Sequence, residues 1–185
     1  MKNSKKFFSL MLSAALLLFA CSAFAESSLF DSVYIDPDTY DFSQTNWVEF
    51  DSLFRVARPD NWIRYECSDE ETESGGLYKM GPEDGSVFIT VFSLGADSEY
   101  AKHFVSESEA YSYLVELNGL TAARLNYGDE LFAYCYYSES IDSFFIVLPY
   151  EDGTCYVLSC APVQNEETRE IVQAICYSIR VAEAS

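Results

Sequence analysis

The sequence predicts an α+β fold: a mostly antiparallel β-sheet with two main amphipathic helices packed on it. Three observations point there. Apolar runs follow one another through short turns between Leu120 and Ala161, which implies antiparallel neighbours. Two separate stretches carry helical apolar spacing together with start and stop signals. A mature chain of about 160 residues can bury around 70% of its extended surface, enough for one core. No internal repeat, Pro-rich linker or low-complexity tract suggests a second domain.

Residues 26–45 read as an irregular arm, with Asp36-Pro37-Asp38 and Asp41 in it and Pro37 opposing regular structure. A single domain is expected over 46–182. Trp47 to Phe50 reads as a strand, and Leu53 to Arg58 as its continuation, with Phe54 and Val56 on one face and Arg55 and Ala57 on the other. Pro59-Asp60-Asn61 is a turn, and Trp62 follows it. Asp69 to Gly76 is acidic and ends in Gly-Gly, so it reads as a loop. Leu77 to Met80 forms a short strand, and Pro82-Glu83-Asp84-Gly85 a turn. Val87 to Leu94 is apolar on both faces, which predicts a central strand covered on both sides.

The first helix begins at Ser106. Ser106 and Glu109 form an S-x-x-E capping box. Ala110, Tyr113, Leu114 and Leu117 supply the apolar stripe, and Asn118-Gly119 the left-handed stop. Strands follow at Leu120 to Asn126, Leu131 to Tyr137, Phe144 to Leu148 and Thr154 to Ala161, joined by short turns. Asn165 caps a last helix running to Ile179. Ile171, Val172, Ile175, Cys176 and Ile179 form its buried face, and Glu166, Glu167 and Glu170 suit its positive end.

Residues 1–25 have the order of a secretory signal. Lys2, Lys5 and Lys6 precede an apolar run from Phe7 to Ala20, and Ala23-Phe24-Ala25 places small residues ahead of Glu26. The run is shorter than the roughly 20 residues a membrane-spanning helix needs. Cleavage between Ala25 and Glu26 is expected, with the mature domain outside the cytoplasm. A second route is open. Leu18-Phe19-Ala20-Cys21 resembles a bacterial lipobox, although Phe19 departs from its usual small or aliphatic residue. Lipidation of Cys21 would tether the chain to a membrane surface, the only membrane association expected.

The signal holds three of the 11 basic residues and none of the 30 acidic ones, which leaves eight bases against 30 acids and a net charge of −22. Such a chain repels polyanions, so nucleic acid is excluded as a partner. A cationic partner is permitted, but an acidic solvated surface accounts for the charge without one. Five cysteines remain beyond Cys21: Cys67, Cys135, Cys155, Cys160 and Cys176. Cys155 and Cys160 lie five apart on one expected strand and face opposite ways, so they cannot bridge each other. Whether the others pair is left open by their spacing.

No residue is assigned a catalytic, cofactor-binding or metal-binding role. No G-x-S-x-G elbow or phosphate-cradling Gly-rich loop occurs, and His103 is the only histidine. Asp36-Pro37-Asp38 with Asp41 lacks the glycine and distal glutamate of a calcium loop. Trp62 has two readings, a core plug or a rim residue that contacts a partner.

The element order resembles that of the PsbP-like α/β/α sandwich superfamily, including the DcrB-type bacterial lipoproteins. The residues that carry the resemblance are Pro59-Asp60-Asn61-Trp62 after an early strand and the closing Ile175-Cys176-Tyr177-Ser178-Ile179-Arg180. It spans Phe50 to Arg180. The resemblance implies a non-enzymatic protein that docks on a larger partner, without fixing which one. The expected function is therefore an exported binding module that contacts another protein at the cell envelope. Two alternatives stand beside it: a secreted hydrolase using a carboxylate pair on a glycan or peptidoglycan, and a calcium-dependent adhesion module.

Overall fold

The computed structural model describes residues 28–182 except Gln44, Glu130 and Gln164. Cys21, Ala25 and Glu26, and with them the processing expectations, lie outside the described residues. The described chain is α+β, with strands in two mostly antiparallel sheets and helices against the larger one.

The larger sheet has eight strands. They are β1 (Asp31–Tyr34), β4 (Trp62–Tyr65), β5 (Gly76–Pro82), β6 (Phe88–Leu94), β7 (Ala122–Tyr127), β8 (Leu131–Ser138), β9 (Ser143–Pro149) and β10 (Cys155–Ala161), in the order β1-β7-β8-β9-β10-β6-β5-β4. Every neighbouring pair is antiparallel except β1 with β7, which is parallel. The smaller sheet orders β11 (Arg180–Val181), β3 (Phe54–Pro59) and β2 (Thr45–Phe50). The helices are α1 (Asp69–Glu73), α2 (Glu107–Tyr111, continued as a π-helical segment Ser112–Leu117) and α3 (Glu166–Ser178).

Alternation along the strands sends side chains into two separate apolar clusters. Ile89, Val91, Ile146, Leu148, Leu158 and Cys160 pack against Phe54 and Val56 of the small sheet and Val172, Ile175 and Cys176 of α3. Tyr134, Tyr136, Val147, Cys155 and Val157 point the other way, onto Phe104, Ala110 and Leu114. The eight-stranded sheet is thus the middle layer. The connection from β6 to β7 passes β10, β9 and β8, and α2 within it covers that second face. The expected central strand is β6, hydrogen-bonded to β10 and β5.

Four expectations need correction. Within the 26–45 stretch, residues 31–39 are not irregular. Val33 pairs with Leu125 within the parallel β1–β7 ladder, and Pro37–Thr39 is a 3-10 turn capped by the Asp36 carboxylate. The pairing is remote in sequence, so no local pattern announces it. Leu53 to Arg58 does not continue the Trp47 strand. The chain reverses at Asp51 and Ser52, both in the left-handed region with φ of 50° and 57°, and β2 pairs with β3. Such turns usually carry glycine; here Tyr156 donates its hydroxyl to the Asp51 carboxylate instead. The acidic 69–76 loop contains α1, closed by a reciprocal capping box between Ser68 and Glu71. Finally, Leu117 is 75% exposed, because the π-helical segment turns it off the buried stripe that Ala110 and Leu114 occupy.

Candidate functional site

Among the described residues β4 is the last strand of the large sheet and pairs only with β5, so one side of it is an open edge. A concavity of about 430 Å³ sits at the C-terminal end of this strand, lined by Arg64, Tyr65, Glu66 and Cys67, by Thr72 of α1 and by Gly76 and Leu77 of β5. Trp62 begins β4 and points inward; Ile63 beside it is 40% exposed, and Leu77 across the concavity 45%. An edge strand flanked by exposed apolar side chains can accept an extended peptide as a further strand.

The wall of the concavity is fixed by Glu71. Its carboxylate accepts from the Ser68 backbone N–H at 2.7 Å, from Lys79 Nζ at 2.8 Å and 3.1 Å, and from the Thr90 hydroxyl at 3.4 Å. Partial burial works to raise its pKa, but the hydrogen bonds from Lys79 and Ser68 outweigh that and hold it below its ordinary value. Cys67 is half-buried on the same wall. Burial pushes its thiol up, and the Glu71 charge adds to that, so it is a poor nucleophile at neutral pH.

On the inner side of β4, at the mouth between the two sheets, two arginines meet one tyrosine. Arg58 of β3 donates from Nη1 to the Tyr78 hydroxyl at 3.2 Å, and the Arg64 guanidinium lies 5.0 Å above the centre of the same ring. Tyr78 is held in place by an edge-on contact with Phe50, ring centres 5.9 Å apart.

Trp62 is 6% exposed and packs in the core with Met80 and Tyr78, which corrects the reading of it as a partner-contacting rim residue. His103 stacks on Tyr113, with ring centres 4.0 Å apart and planes within 6°. All five described cysteines are free thiols, four of them buried, and Cys155 and Cys160 do sit in opposite apolar clusters. The Asp36 and Asp41 carboxylates each accept a backbone N–H two residues on, and Arg180 donates to the Pro37 carbonyl at 3.0 Å, so the aspartate-rich segment is folded onto the domain. Among the described residues no group of three His, Cys, Asp or Glu side chains is placed to hold a metal ion. A carboxylate-pair hydrolase would need an acid of raised pKa. Every described carboxyl group with a resolved shift, Glu71 and Glu107 included, moves down instead.

Sequence reasoning missed Arg58, Arg64 and Tyr78. They lie on three strands: β4 and β5 pair in the large sheet, and the stacking of the small sheet brings Arg58 to them. One signal was present: bases are scarce in this acidic chain, and Arg55, Arg58 and Arg64 fall within ten residues of one another.

A scan against protein-family models and a comparison with curated proteins return no match. Among solved structures, a 1.50 Å crystal structure from Bacteroides thetaiotaomicron VPI-5482 matches with a TM-score of 0.42 and 9% identity, over 76% of this chain and 49% of that one. The chain thus spans about half the length of that neighbour. A likeness of this degree assigns neither fold family nor function.

Proposed function

We propose that this chain is an exported, non-enzymatic binding module that docks through the β4 edge onto an extended segment of another protein at the cell envelope. The observation that carries it is the unpaired side of β4 beside exposed Ile63 and Leu77 and an open concavity. Backbone groups along that side supply directional hydrogen bonds, and the apolar pair supplies area to bury. The secretory signal motivates the extracytoplasmic setting, and docking on a larger protein agrees with what the PsbP-like resemblance implies.

Site-specific photocrosslinking in the producing cell tests this. A photoreactive residue at Ile63 is expected to give one discrete protein adduct that excess unlabelled domain competes away. The same label at Leu29, near the opposite edge, should give none. Absence of a competed adduct at Ile63, or equal adducts from both sites, overturns the proposal.

A further inference from the structure

Two guanidinium groups on one tyrosine are unusual company in a chain with 30 acids. Opposite charges should find each other readily when acids outnumber bases so heavily. Yet among the described residues neither Arg58 nor Arg64 makes an ion pair with a carboxylate. Lys79, Lys102 and Arg124, by contrast, each hold one. Glu66 lines the concavity with Arg64 but makes no hydrogen bond to it.

The donors at this mouth are also incompletely used. The Arg58 Nε is buried and has no acceptor among the described residues. The Tyr78 hydroxyl accepts from Arg58, which leaves its own proton to give. Arg64 is exposed, and its plane is steadied over the Tyr78 ring by the cation–π contact. A buried donor without an acceptor is costly, so a site of this kind is completed by a ligand that supplies one. Two planar forks held against one tyrosine, one at its hydroxyl and one over its ring, are a donor set suited to a planar oxyanion.

We propose that Arg58, Arg64 and Tyr78 form a carboxylate-binding site that takes an Asp or Glu side chain of the docked partner segment. It rests on the docking function above for the identity of the partner, but its chemistry can be read without one. The net charge of −22 favours a singly charged carboxylate over a multiply charged phosphate, which meets more long-range repulsion. Placement beside the open edge of β4 lets an acidic side chain of an added strand reach the mouth while its backbone pairs.

The probe is N-acetyl-glutamic acid amide, whose only charge is a side-chain carboxylate, added to the mature chain at constant ionic strength. The readout is the ¹⁵Nε–H resonances of the arginines. We expect saturable shifts at Arg58 and Arg64, with a dissociation constant on the order of 10 mM for so small a ligand. Arg124 and Arg169 should stay put. Arg64→Gln, at an exposed position, should leave the melting temperature unchanged and weaken binding about tenfold, the ratio one charge-assisted hydrogen bond controls. Tyr78→Phe should weaken it less. No saturable shift by about ten times the expected constant, an undiminished shift in Arg64→Gln, or tighter binding of inorganic phosphate would each overturn the proposal. Failure here with a positive crosslink at Ile63 removes the carboxylate site alone; carboxylate binding without a crosslink removes the docking function alone.

Discussion

Four hydrogen bonds converge on Glu71, and they tie three elements together: the cap of α1, the β5 lysine and the β6 threonine. Glu71→Gln keeps the shape but removes the charge opposite Lys79, which is itself largely shielded from solvent. We expect a loss of about 1.5 kcal/mol in urea unfolding, the low end of the range for hydrogen bonds to charged groups, because the site is only part-buried. The pH dependence has a definite sign. The folded-state pKa of Glu71 lies below its ordinary value, so its contribution is complete above that value and is lost as pH falls through the folded one. Glu107 behaves likewise. Burial works to raise its pKa, and Ser28, Leu29 and Arg124 overcome that. The melting temperature should therefore fall between about pH 5 and pH 3, and Glu71→Gln should flatten that fall. An equal fall in the variant would show that the carboxylate is not held as described. Cys67 provides a second test at this scale. It is the one described cysteine that is not buried, so a thiol reagent should label it alone in the folded mature chain, and more slowly than free cysteine near pH 8. Labelling of Cys135, Cys155, Cys160 or Cys176 before unfolding would contradict the packing.

At the scale of elements, α2 shows where local signals suffice and where they stop. The Ser106 cap and the left-handed Gly119 at φ 62° are both legible, because each is a one-residue requirement met by a residue type. The π-helical segment is not legible, because it depends on what the helix meets on the sheet below. Leu114 and Leu117 look equivalent in the sequence, but one is fully buried and the other is not. Leu114→Ala should cost about 3 kcal/mol and Leu117→Ala close to zero in urea unfolding. Comparable losses would restore the straight stripe. The other misses have similar causes. A five-residue polar helix such as α1 has no apolar period to detect, though its Ser68–Glu71 cap was there to be read. The Asp51–Ser52 reversal hides because its support comes from Tyr156, far along the chain. The site residues hide for the same reason: β4 and β5 pair within the large sheet, but β3 joins them only when the two sheets stack.

On the scale of the whole molecule, strands β5 to β10 and the last helix were legible because burial on one or both faces writes its period into the sequence, whereas the short strands β1, β4 and β11 carry too few residues to show one. The acidic exterior leaves no such period, yet it should govern the response to salt. Raising NaCl from about 10 mM to 150 mM shortens the screening length from about 30 Å to 8 Å, which weakens self-repulsion more than it weakens the few close ion pairs. The melting temperature of the mature chain should rise by a few degrees, about what 1 kcal/mol gives a domain this size. A fall would mean that attraction among surface charges exceeds repulsion despite the excess of acids.

The parallel strand β1 also sets limits on how the protein can stand. It occupies the edge opposite β4, seven strand spacings away, or about 34 Å at 4.8 Å per spacing. From Cys21 to Ser28 is seven residues, a leash of about 24 Å at full stretch. For a chain acylated at Cys21, that leash is too short to lift the β1 side clear while the β4 side lies against the bilayer. In such an acylated chain an upside-down pose would be out of reach, and a partner on β4 would have to arrive from the flank or from above.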